Sequence, residues 1–289
     1  MEKNKTGMRA AWCIILCAAI AVIVGSVLEK YSRIFGADKY VSRIIGQLPM
    51  LGPVLLGTFY IGTRFGKRYT AEAMGLTWFH PGLVFFLLLL PVCSRYFGIY
   101  IQSLGAAFTE KSFAVDAEMI PGDTYEMIML FLSNCIVAPV LEETVFRGAI
   151  FKSVEPYGSF RALLVSALGF AIIHFQASAF TYLLLWGIVL GLIRIWSGSV
   201  VACVLFHSIL NFETFLHSVF VSELYYITDF LMGYALVMTH LFPGVLLAAY
   251  LCFGMGKSSK KTKRSGFGGL VPMALVLLLY VGIVYMKGL

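Results

Sequence analysis

Most of this chain is built from apolar stretches long enough to cross a bilayer, and that constrains its fold more than any other feature. Strongly hydrophobic windows fall at about 11–28, 46–63, 82–101, 126–152, 161–179, 181–196, 199–220, 233–255 and 270–287. A helix needs about 20 apolar residues to cross a hydrocarbon core about 30 Å thick. Lipid offers no water to an unpaired N–H or C=O, so a spanning segment must satisfy its own backbone. The expected fold is therefore all-α: a polytopic transmembrane helical bundle of about eight or nine spans enclosing a buried polar cavity.

Composition supports this and excludes other classes. Of the 289 residues, 60% are hydrophobic and only 13% charged, where a soluble domain carries about 25% charged residues. The formal net charge of +7 is spread between hydrophobic windows, which fits loops facing anionic lipid rather than a nucleic-acid surface. The cysteines at positions 13, 17, 93, 135, 203 and 252 form no CxxC pair and mostly lie in apolar runs. They read as small buried hydrophobes rather than a disulfide framework.

The first apolar window follows a basic start and is long for a signal peptide, so it reads as an uncleaved span. Lys3, Lys5, Arg9, Arg64, Lys67, Arg68, Lys152, Arg161, Arg194 and the run Lys257–Arg264 all fall on one side if the N-terminus is cytoplasmic. Loop 29–45 carries Lys30, Arg33, Lys39 and Arg43 against that pattern. The expected location is the plasma membrane, multi-pass, with the N-terminus inside. No internal repeat or soluble domain is visible. One integral membrane domain is expected, with N-terminal spans in 1–125, a core in 126–220 and C-terminal spans in 221–289.

Three ionisable side chains interrupt the fourth window, in Glu142-Glu143-Thr144-Val145-Phe146-Arg147. Each costs roughly 2.5–3.5 kcal/mol at mid-bilayer, so a use is expected. Glu143 and Arg147 are four apart on a helix and can pair. Glu142 is turned about 100° from Glu143 and is left to face a polar cavity. A carboxylate held away from bulk water suits a general base; a purely structural ion-pair cluster is the competing reading. Further along, His174 follows Phe170 by four residues, and Asn211 follows His207 by four. An imidazole and an amide on one face can serve a developing oxyanion or, equally, a metal. A lone membrane histidine can also be no more than an interhelical hydrogen-bond partner.

The ordered set Glu142-Glu143-x-x-x-Arg147, Phe170-x-x-x-His174 and His207-x-x-x-Asn211 resembles the CPBP family, the CAAX prenyl proteases and bacteriocin-processing enzymes also called the Abi family. The resemblance covers roughly residues 126–215. It implies an intramembrane endopeptidase in which Glu142 and His174 position and activate water. His207 and Asn211 would stabilise the oxyanion, with Glu143, Arg147 and Phe170 in support. The substrate would be a peptide or a membrane-anchored protein, of CAAX, leader, pheromone or bacteriocin type. The family is described both as metalloproteases and as glutamate-dependent hydrolases without a catalytic metal. No HExxH zinc helix is present, although Glu142, His174 and His207 could hold Zn²⁺. The metal is therefore left open, and water activation by Glu142 and His174 is the favoured scheme.

Two rivals remain: a non-catalytic immunity or scaffold protein of the same fold, and a proton-coupled transporter using buried Glu, Arg and His. The second predicts paired broken helices or an internal repeat, and neither is visible. His80, His217 and His240 read as packing or interfacial residues. Gly187-x-x-x-Gly191 reads as a close helix contact.

Overall fold

The computed structural model describes residues 2–66, 68, 70–91, 121–219, 244–247 and 249. Among them, every regular element is helical. We number the principal helices α1 (Glu2–Ile34), α2 (Lys39–Gln47), α3 (Leu51–Phe65), α4 (Thr70–Met74), α5 (Gly82–Pro91), α6 (Thr124–Tyr157), α7 (Ser159–Ile173), α8 (Phe180–Ser197) and α9 (Val200–Val219).

Four helical stretches are long and apolar enough to cross a membrane: Thr6–Ile34, Lys39–Phe65, Thr124–Tyr157 and Ala177–Ser197. Three shorter apolar helices accompany them, at Gly82–Pro91, Ser159–Ile173 and Val200–Leu216. The expected eight or nine spans are thus not reached among the described residues. Position 270–287 and most of 233–255 lie outside them, as does the second half of 82–101. The window 161–179 was expected to be one span, yet α7 stops at Ile173. There the His174 side chain binds the Phe170 carbonyl and Phe175 turns to φ 51°. Apolar composition continues past this point, so hydropathy does not register the break.

The helix that organises the bundle is α6. Asp123 caps its start by accepting the Glu126 N–H at 2.8 Å. Two π-helical segments, Leu132–Val137 and Thr144–Ile150, flank the short α-helical piece Ala138–Glu143. Pro139 lies in that piece and has no N–H to give. The wider turn just upstream leaves carbonyls without a helical partner, which a membrane interior does not tolerate.

Neighbouring helices also donate to carbonyls along this segment. Gln47, at the end of α2, donates Nε2 to the Ser133 carbonyl at 3.3 Å. Asn211 of α9 donates Nδ2 to the Asn134 carbonyl at 2.8 Å. Ser166 of α7 donates to the Phe146 carbonyl at 2.9 Å. Arg194 of α8 donates Nε to the Arg147 carbonyl at 3.1 Å and Nη2 to the Met74 carbonyl at 3.4 Å. Four helices are thus pinned to α6 by hydrogen bonds to its irregular backbone, and π segments of this kind concentrate at functional sites.

Close packing completes the arrangement. A Cβ on Gly187 would lie 2.9 Å from the Ala167 Cα, and one on Gly191 2.8 Å from the Leu163 Cγ. The Gly187-x-x-x-Gly191 stripe is therefore the contact of α8 with α7, as its spacing predicts. Overpacking such a contact costs about 1–3 kcal/mol. Gly187→Val should accordingly lower the thermal midpoint in detergent, and an unchanged midpoint would show that the two helices can part at no cost.

Candidate active site

The chemistry-bearing side chains come from the middle of α6, the end of α7 and the middle of α9. Glu143 and Arg147 form the expected pair: Arg147 Nη1 lies 2.9 Å from Glu143 Oε1, and both side chains are wholly buried. Arg147 Nη2 also donates to the Gly187 carbonyl at 3.2 Å. His207 Nδ1 lies 2.9 Å from the same Glu143 Oε1. A carboxylate only accepts, so Nδ1 of His207 carries its proton. Glu143 Oε2 is buried and has no hydrogen-bond partner among the described residues. All compensation for this buried charge therefore passes through a single oxygen.

His174 is the residue at which α7 ends. Its Nδ1 is 2.7 Å from the Phe170 carbonyl, one turn back. The carbonyl is an acceptor, so here too Nδ1 holds the proton and Nε2 presents its lone pair. A side chain binding the last carbonyls of a helix is a common way to finish one; here it also fixes the tautomer.

Phe170 is the hub. Its ring meets His174 edge-on at 4.8 Å between centroids, His207 at 5.9 Å and Phe146 at 5.5 Å. The Arg147 guanidinium lies over it at 4.6 Å. One aromatic ring thus touches a residue from each of the three motifs. Phe→Ala in a core costs about 3–5 kcal/mol. Phe170→Leu, which keeps most of the volume, should fold yet turn over more slowly because both imidazoles lose their edge contact. A kcat equal to the parent protein would remove Phe170 from the site's support.

A cavity of about 410 Å³ opens between α1, α2, α6 and the end of α7. Glu142 and His174 both line it, together with Asn134, Gln47, Arg43 and Glu29. Glu142 has no hydrogen-bond or ion-pair partner among the described residues. It therefore differs sharply from its neighbour Glu143, as the 100° rotation predicts.

His207 and Asn211 are not among the residues that line this cavity. His207 is held by Glu143, and Asn211 by the Asn134 carbonyl. The spacing of four puts them on one face of α9, but their partners on α6 decide where their polar atoms go.

As for a metal, no group of three or more His, Cys, Asp or Glu side chains is arranged to hold one among the described residues. The candidate set Glu142, His174 and His207 does not converge as ligands in this arrangement. His80 accepts the Gly82 N–H at 3.1 Å and shapes the turn into α5. His240 lies outside the described residues, as does the side chain of His217.

Sequence reasoning missed Asn134 and Gln47. The available signal was Asn134 standing five residues before Pro139, the separation at which a π-helical carbonyl would seek the N–H that proline lacks.

Residues 124–212 match a family model described as Type II CAAX prenyl endopeptidase Rce1-like. Nothing among curated proteins or solved structures matches the chain. The matched segment contains Glu142, Glu143, Arg147, Phe170, His174, His207 and Asn211, and stops one residue beyond the last of them. Its apolar helices make the protein an integral membrane protein, and its segment 124–212 is similar to the Type II CAAX prenyl endopeptidase Rce1-like family.

Proposed function

We propose that the protein is an intramembrane endopeptidase that hydrolyses a peptide bond of a membrane-associated peptide or protein, with Glu142 as general base. The observation that carries this reading is the placement of Glu142 and His174 on one cavity while Glu143 is held through Oε1 by Arg147 and His207. Water seated between the Glu142 carboxylate and the His174 Nε2 lone pair gives a proton to Glu142 as its oxygen attacks the scissile carbonyl carbon. The C–N bond then breaks and the amine leaves with the proton returned from Glu142, so the base ends as it began.

The oxyanion falls to His207 and Asn211. Asn211 spends one amide hydrogen on the Asn134 carbonyl and keeps the other. His207, whose Nδ1 is directed at Glu143, donates from Nε2 only as the imidazolium. Neither is among the residues lining the cavity, and catalytic hydrogen bonds commonly tighten only in the complex. The substrate class is of CAAX, leader or pheromone type, and the N-terminus faces the cytoplasm of a plasma-membrane protein.

The test is mass spectrometry of prenylated and unprenylated peptide libraries incubated with the purified protein in liposomes, half of the samples with chelator. Cleavage at a consistent bond supports the reading, and its prenyl requirement identifies the substrate class. Loss of cleavage with chelator would bring in a metal, Zn²⁺ first. Absence of cleavage in every arm would overturn the endopeptidase reading in favour of an immunity or scaffold role.

A further inference from the structure

We propose that Pro139 and Asn134 are positioning residues for Asn211, an assignment that rests on the endopeptidase reading. The Ala138 N–H bonds to the Ser133 carbonyl, five residues back, instead of Asn134, four back. The next N–H along, which a π-helical turn would give to the Asn134 carbonyl, belongs to position 139, and proline has none. The Asn134 carbonyl is thereby left without a helical donor in a low-dielectric interior. Asn211 Nδ2 fills it at 2.8 Å from another helix, 77 residues away in sequence.

This single bond fixes more than stability. An amide has two N–H groups and one carbonyl oxygen in one plane. Tying one hydrogen to Asn134 sets the plane and leaves the other hydrogen and Oδ1 in defined directions. Asn134 also lines the cavity that holds Glu142 and His174. Its own Oδ1 accepts from the Ser133 hydroxyl at 3.2 Å, so the segment carrying the carbonyl is held in turn. The proline two residues beyond the first π segment thus acts through Asn134 on the amide assigned to the oxyanion.

Pro139→Ala separates this role from a structural one. It restores an N–H that competes with Asn211 for the Asn134 carbonyl, and alanine is the better helix former. Thermal stability in detergent should therefore hold or rise. For peptide hydrolysis kcat should fall toward the roughly 10²–10³-fold loss that follows removal of one oxyanion donor, with KM changed less than about twofold. In an Asn211→Ala background, Pro139→Ala should leave kcat unchanged. Equal losses in both backgrounds, or full kcat in the single variant, would overturn the proposal.

A second cycle needs no catalysis. Asn211→Ala should lower the thermal midpoint of the parent, because it strands the Asn134 carbonyl. The same change should cost much less in Pro139→Ala, where that carbonyl has a backbone donor. Additive shifts would overturn the assignment. A coupled midpoint together with a parent that cleaves nothing would instead keep the hydrogen-bond geometry and reject the endopeptidase reading.

Discussion

Glu142→Gln is expected to reduce peptide hydrolysis by roughly 10²–10⁴-fold in kcat, the usual contribution of a general base, while KM changes little. Glutamine keeps the shape of the side chain and cannot take a proton from water. Glu142 lines the cavity and engages no described neighbour, so the substitution breaks no ion pair and creates no buried unpaired charge. Yield and thermal midpoint should match the parent. The contrast with Glu143→Gln is part of the prediction. That variant weakens the hold on both Arg147 and His207, which share one carboxylate oxygen, and should lose stability as well as rate. If Glu142→Gln cleaves at the parental rate, Glu142 is not the base.

Arg147→Ala is expected to be the most damaging single change to the fold, at about 3–5 kcal/mol, the cost of breaking a buried pair by removing one partner. Whole-domain stabilities are only about 5–15 kcal/mol, so little folded protein should accumulate. Three contacts go at once: the Glu143 pair, the Gly187 carbonyl and the stack over Phe170. Glu143 then keeps only His207 on Oε1, with Oε2 already unpartnered among the described residues. Replacing both partners by apolar residues, as in Glu143→Leu with Arg147→Met, should recover much of the stability, because no charge is stranded. It should not recover turnover, because His207 has lost the carboxylate that orients it. A double variant as unstable as Arg147→Ala would show that the ion pair is not the origin of the cost.

The parts of the site that could be read in advance are those governed by local geometry. Glu143 and Arg147 are four apart on one helix, so their pairing follows from helical pitch alone. The same pitch separates Glu142 from Glu143 and predicts their different surroundings. Gly187 and Gly191 announce a close contact through their lack of side chains. His174 was expected on the face of a continuing helix, and instead it ends that helix by taking the Phe170 carbonyl. Hydropathy missed this because the residues on both sides of the break are apolar.

By itself, the sequence determined that this is a helical membrane protein and which side chains are too costly to bury without a purpose. It also determined which of them share a helix face, because composition and pitch act over one or two turns. Tertiary structure alone decided which face each helix turns to α6, that His207 pairs with Glu143, and that Asn211 serves Asn134 before any substrate. The physical reason is that both bonds join α6 to α9 across 64 and 77 residues of sequence. Which neighbour reaches each of these groups depends on how the helices pack, and spacing along the chain does not contain that information.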